Sequence, residues 1–187
     1  MLLKSSTFNI AQVDGYCYQE PEQQDRTKCI EKVDAFVEAL GVEIVYGRSI
    51  AAYNPVRDCI LMPNREEFIS TKTRDATEGY YSVLLHEQVH WSGHPTRLHR
   101  DLSGRFGTEA YAMEELVAEL GAAFLCTELG ISVQVRHDHA TYVNNWLTVL
   151  RNDDRAIFVA AGMASKACQF HANAVVEKRE VATFVSG

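Results

Sequence analysis

The sequence is short of the features that mark nucleic-acid-binding and membrane proteins. Its 18 Lys and Arg face 25 Asp and Glu, a formal net charge of −7, and no basic run occurs. Phosphate binding needs clustered cations, so a broad DNA-binding face is not expected. The alternating "EKRE" near the C-terminus reads as a solvated tail. No apolar stretch reaches the ~20 residues of a membrane helix. The opening "MLLKSSTFNIAQVDG" lacks the apolar core of a signal peptide. The five cysteines (Cys17, Cys29, Cys59, Cys126, Cys168) are odd in number and form no C-x-x-C pair. That pattern suits neither a disulfide framework nor a zinc ribbon, and reduced thiols packed as small core residues are expected. Internal repeats and low-complexity segments are also missing. The expectation is a soluble cytoplasmic protein, and a length of 187 residues suggests one domain, 1–187.

Periodicity outlines the elements. A short strand is expected at 7–13 and a loop at "PEQQD". Ile30, Val33, Phe36, Val37 and Leu40 recur at helical spacing within 26–40, with Gly41 as a stop. "VEIVYG" reads as a strand. Within 51–62, two strand-like runs ending at Tyr53 and Met62 flank a turn built on Asn54, Pro55 and Asp58, which predicts a hairpin. Further helices are expected from near Asp75 to Trp91 with Gly93 as stop, from Thr108 as N-cap to Gly130, over 138–150, and over 154–172. Asp138 and Asp154 are the expected caps of the last two. Strands come early and helices late, so the class is α+β.

The chemistry is concentrated in "LLHEQVHWSGHP". Helical residues four apart lie about 40° around the axis and about 6 Å along it, so His86 and His90 can aim two imidazoles at one ion. Glu87 projects about 100° from His86, where its carboxylate reaches a water instead of the metal. Zinc lowers the pKa of a bound water to about 7, and a neighbouring carboxylate can then take its proton. Val83, Leu84, Leu85 and Val89 surround the motif, so this helix is expected to be buried, where histidines need partners.

A catalytic zinc takes three protein ligands and leaves one place open. His94 would lie about 12 Å along a continuous helix from His86, too far to share an ion. The longer pattern H-E-x-x-H-x-x-G-x-x-H fails at Thr96. The next helix offers an alternative: from 116 to 126 every residue but Glu119 is apolar or Gly. A carboxylate there is costly unless paired or bound to a cation, and Glu115 stands one turn earlier on the same face. Glu115 is expected as the third ligand, with Glu119 accepting a hydrogen bond from the spare nitrogen of a ligating histidine, or the two roles exchanged. Glu114 is expected at a solvent edge. His94, His99, Arg97, Arg100 and Asp101 are expected as exposed polar groups.

The stretch "YYSVLLHEQVHWSGHPTRLHRDLSGRFGTEAYAMEELVAELGAAFLCTELGI" strongly resembles the zincin-like metallopeptidase domain of ArdC-type antirestriction proteins and TraC-type plasmid primases. The resemblance extends to "AAYNPVRDCILMP" and "DHATYVNNWLTVLRNDDRAIFVAA". It implies a small gluzincin-like fold with zinc on His86, His90 and Glu115, Glu87 as general base, and a plasmid setting in which incoming DNA is protected. Family members carry an N-terminal single-stranded-DNA-binding domain, whereas "TFNIAQVDG" begins here almost at the first residue, which counts against DNA binding and antirestriction by this chain.

An edge strand before the metal helix of zincins commonly pairs with an extended peptide, and the 51–62 hairpin bearing Tyr53 is the place for it. His139 and Tyr142, and Tyr53 on the hairpin, are the candidates for contacting substrate or an oxyanion.

Overall fold

The computed structural model describes residues 30–71, 75–105, 107–131, 146, 150, 153 and 155–185. The elements run α1 (Glu31–Leu40), β1 (Glu43–Val45), β2 (Ala52–Asn54), β3 (Cys59–Leu61), α2 (Ala76–Ser92), α3 (Glu109–Leu129) and α4 (Ala156–Val185). The class is α+β, as expected. The strand at 7–13 and the helix at 138–150 fall outside the described residues or nearly so.

Three strands form a mixed sheet in the order β1-β3-β2. β1 and β3 are parallel, and β2 lies antiparallel to β3 with Tyr53 opposite Ile60. The expected hairpin is therefore present, and among the described residues β2 lies at the sheet edge. Asn54 Oδ1 accepts the N–H groups of Val56 and Arg57, each at 3.0 Å, which closes the turn. Asp58 completes it in the left-handed region at φ 51°.

α2 starts where Asp75 accepts the Glu78 N–H at 2.7 Å and Glu78 returns a bond to the Asp75 N–H at 3.2 Å. It lacks a single apolar stripe because it is covered on all sides: of its 17 residues only Glu78, Ser82 and His90 escape the buried class. It packs against β2 and β3 of the sheet and against α3 and α4. At Gly121 of α3 an added Cβ would come within 2.8 Å of Val89, so the absence of a side chain lets α3 approach the metal-motif helix. Gly41 and Gly130 end α1 and α3 in left-handed conformation, as their sequence positions predict.

Gly93 ends α2 differently. Its φ of −76° is right-handed and its N–H still reaches His90. An added Cβ there would meet Arg100 Nη2 at 2.9 Å, so space for a guanidinium, not a backbone turn, explains the glycine.

α4 runs to Val185, well past the expected end at 172, and takes in "EKRE". The solvated-tail reading is corrected: Lys178 Nζ donates to the Glu38 carbonyl at the end of α1, 3.3 Å away. Charges of alternating sign suit the outer face of a helix as well as they suit a tail. Cys59, Cys126 and Cys168 are buried free thiols. Among the described residues no helix is long and apolar enough to cross a membrane.

His171 of α4 is fully buried, stacked on Trp91 of α2 with ring centroids 6.1 Å apart. Burial pushes its pKa down to about 3, from an ordinary 6.5. Below 6.5 the unfolded chain binds a proton that the folded chain refuses, so the contribution is present above 6.5 and lost as pH falls toward 3. Between pH 7 and 4.5 this single group should cost on the order of 2–3 kcal/mol of stability. His171→Phe should retain the stacking and lose less stability over that interval by about the same amount, measured by urea unfolding at both pH values. Equal losses in the two proteins would contradict the assignment.

Candidate metal centre

One turn of α2 separates His86 from His90, and their Nε2 atoms face each other at 3.1 Å. Glu115 of α3 completes a triangle, with Oε2 3.6 Å from His86 Nε2 and Oε1 3.5 Å from His90 Nε2. These three residues are the group of potential ligands found among the described residues. Ligand atoms held at about 2.05 Å around a tetrahedral ion lie about 3.3 Å apart, and here one atom from each of the three residues lies within 4.8 Å of the others, a spacing that small side-chain movements would close. In the metal-free state a proton on one ring joins the two Nε2 atoms, and a cation seated between the two Nε2 lone pairs can take that proton's place. The residues present fit a divalent ion.

Charge supports the fit. Four carboxylates (Glu87, Glu114, Glu115, Glu119) gather around the two imidazoles, against the Arg100 guanidinium. Burial alone would push the His90 pKa down. The Glu114 hydrogen bond and the Glu87, Glu114 and Glu115 charges outweigh it and lift the group to about 9. Burial pushes the Glu115 carboxyl up, but the adjacent histidines and a hydrogen bond from Tyr111 hold it below the usual carboxylate range.

Behind the ligands stand two further carboxylates, one per ring. Glu119 Oε1 lies 3.4 Å from His86 Nδ1, within ion-pair reach, but His86 Nδ1 makes no hydrogen bond. Glu114 Oε1 lies 3.1 Å from His90 Nδ1 and is gripped by Arg100 through Nε and Nη2, each at 2.9 Å. The solvent-edge reading of Glu114 is therefore corrected: it is 9 % exposed. Adjacent helix residues point about 100° apart, so one faces the ion while the other reaches the far nitrogen of the same ring. The exposed reading of Arg97 and Arg100 falls too, since their side chains are 11 % and 7 % exposed.

Glu87 does not approach the triangle as a ligand. Its Oε2 accepts the main-chain N–H of Tyr53 at 2.7 Å, which ties the carboxylate to the edge strand β2. The Tyr53 hydroxyl donates to Asp58 Oδ1 at 2.7 Å and accepts from Arg97 Nη2 at 3.1 Å. Arg97 also pairs with Asp58, donates Nε to the Trp91 carbonyl at 2.7 Å and lies over the Trp91 ring. The hairpin is thus fastened to the end of α2, and the Tyr53 phenol is engaged there.

A cleft of about 260 Å³ at His86, Glu87, His90 and Glu115 is also lined by Ala51, Ala52, Tyr53 and Pro55 of the hairpin and by Asp101, Leu102, Gly104 and Tyr111. His94 sits apart, its Nδ1 2.8 Å from Thr96 Oγ1. His139 and Tyr142 lie outside the described residues. Glu114, Arg100 and Tyr111 were not singled out from the sequence. Tyr111 precedes Glu115 by four residues on one helix face, a spacing that could have pointed to it. Arg100 leaves no such signal, because a loop brings it in.

Comparison with known proteins agrees with this geometry. Residues 31–163 match the zincin-like metallopeptidase family MPTase-PolyVal. The uncharacterized protein y4eC of Sinorhizobium fredii (strain NBRC 101917 / NGR234) is 48 % identical over 161 residues, covering 86 % of this chain and 50 % of its own length. A DNA primase TraC of Escherichia coli is 39 % identical over 170 residues, 89 % of this chain and 15 % of the primase. Crystal structures of the antirestriction protein ArdC from plasmid R388 superpose in metal-free form (TM-score 0.69, 38 % identity) and in Mn(II)-bound form (TM-score 0.68, 39 % identity). They cover 91 % and 90 % of this chain, and it spans 60 % of theirs. The chain thus spans about half the length of one curated relative and much less of the primase. By its match over most of its length and by the fold it shares with ArdC, the chain belongs to the zincin-like metallopeptidase family.

Proposed function

We propose that this chain is a zinc-dependent peptidase that cuts an extended peptide laid along β2. The observation that carries the reading is Glu87: a carboxylate beside a three-ligand triangle, aimed by a main-chain amide of the strand that forms the cleft wall. His86, His90 and Glu115 would hold the ion. When bound, it supplies Lewis acidity for a carbonyl and for a water.

The chain's own groups supply the rest. Tyr53 N–H occupies Oε2 of Glu87, which leaves Oε1 to take the proton of the attacking water and return it to the leaving amine. Among the described residues β2 is an edge strand, which can receive an extended substrate by main-chain hydrogen bonds. Glu119 and Glu114 hold the imidazole rings.

The kinship with an antirestriction protein and a primase favours a second reading: a metal-stabilised binding module serving DNA protection or plasmid transfer. The net charge of −7 counts against direct DNA contact by this chain. The two readings separate when the zinc-loaded full chain is incubated with a library of unstructured peptides. Cleavage that a chelator stops and zinc restores is the expected result. A fully loaded protein that cuts nothing would overturn the peptidase reading in favour of the binding module.

A further inference from the structure

The loop after α2 delivers a buried guanidinium to the metal centre. His99 adopts φ 51°, in the left-handed region, and its N–H returns to the His94 carbonyl at 3.1 Å. That turn sends Arg100 inward, with its own N–H on the Gly93 carbonyl at 2.8 Å and its side chain in the space that Gly93 leaves open. Nη2 also donates to the Val89 carbonyl at 2.6 Å and Nη1 to Ser92 Oγ at 3.0 Å. Both oxygens of Glu114 are taken by the fork, and Glu114 Oε1 also meets His90 Nδ1.

An imidazole can present only one nitrogen to a metal while the other carries a proton. A carboxylate fixed against Nδ1 selects the tautomer whose Nε2 lone pair is free, and fixes the ring plane. Glu114 performs that selection only while its own rotamer is held, and a flexible, point-like ammonium cannot replace the planar two-point grip of Arg100. Asp101, Leu102 and Gly104, next along the loop, line the cleft.

We propose that Arg100, acting through Glu114, is a positioning residue of the metal centre: it sets the ring of His90 for coordination and anchors the 101–104 wall of the cleft to that same ring. The inference rests on the metal-binding half of the proposed function, not on peptide cleavage.

The probe is Co(II) alone, titrated into the full chain, with affinity and the visible ligand-field spectrum as readouts. Arg100→Gln and Glu114→Gln should each lower Co(II) affinity about 10–100-fold and alter the band shape, with Arg100→Lys between them and wild type. Ser92→Ala removes the Nη1 contact and the Ser92 bond to the Val89 carbonyl but leaves the Arg100 fork on Glu114 in place, so it should keep affinity within about twofold and keep the spectrum, whatever it costs in stability. Wild-type affinity and spectrum in both Gln variants would overturn the proposal while leaving the metal site standing. Failure of the wild type to bind Co(II) would remove the metal reading and this inference with it. Should Arg100→Gln not fold, Glu114→Gln and Arg100→Lys decide: both wild-type in affinity and spectrum overturns the inference, and the expected losses uphold it.

Discussion

Replacing Glu115 with alanine is expected to strip the chain of its metal while leaving it folded. The triangle loses one of three ligands, and its remaining pair of Nε2 atoms, 3.1 Å apart, offers no anionic donor. Loss of an outer hydrogen-bonding partner costs about 10–100-fold in affinity, so loss of a ligand should exceed that. Folding reports it directly. With zinc at a hundred times the wild-type dissociation constant, wild type gains about 2.7 kcal/mol, whereas a variant binding a hundredfold more weakly gains only about 0.4 kcal/mol. In the metal-free state the adjacent histidines stabilise the Glu115 carboxylate, so Glu115→Ala should somewhat lower the unfolding midpoint without metal, and the metal-dependent gain above that baseline is the readout. A metal-induced stabilisation equal to that of wild type would show that Glu115 is not a ligand.

Glu87→Gln should separate binding from turnover. The amide is the same size, and its carbonyl can still accept the Tyr53 N–H, so the aim of the side chain survives. What disappears is a group able to take a proton. General-base loss is expected to cut kcat by about 10²–10⁴-fold, roughly 3–5 kcal/mol of barrier, with zinc content unchanged. Full turnover in this variant would reassign the base; loss of zinc as well would place Glu87 among the ligands.

How much of this was legible in the sequence depended on whether a local rule governed the residue. His86, Glu87 and His90 were readable because helical pitch fixes the angles between positions 1, 2 and 5 of the motif, and the surrounding apolar residues guaranteed the helix. Glu115 and Glu119 were readable for another reason: carboxylates in an apolar stretch must have a partner. Glu114 was misread because its neighbour already satisfied that argument, and nothing local says that a second carboxylate will turn to the other nitrogen of a ring on α2. Arg100 was illegible for a deeper reason. Its placement follows from a left-handed His99, a missing side chain at Gly93 and a carboxylate fourteen residues downstream, each of which acts only in the folded state. The C-terminal part of α4 was missed because exposed helix faces and solvated tails share the same charge pattern, and only the bond of Lys178 to α1 distinguishes them.

The most direct test of the account is a crystal structure of the zinc-loaded chain with anomalous data collected on both sides of the zinc edge. One zinc peak is expected, at about 2.0–2.2 Å from the Nε2 atoms of His86 and His90 and from an oxygen of Glu115, with Glu87 outside bonding distance. A peak with Glu115 turned away and His94 or another group in its place, or no peak between the two imidazoles, would contradict it.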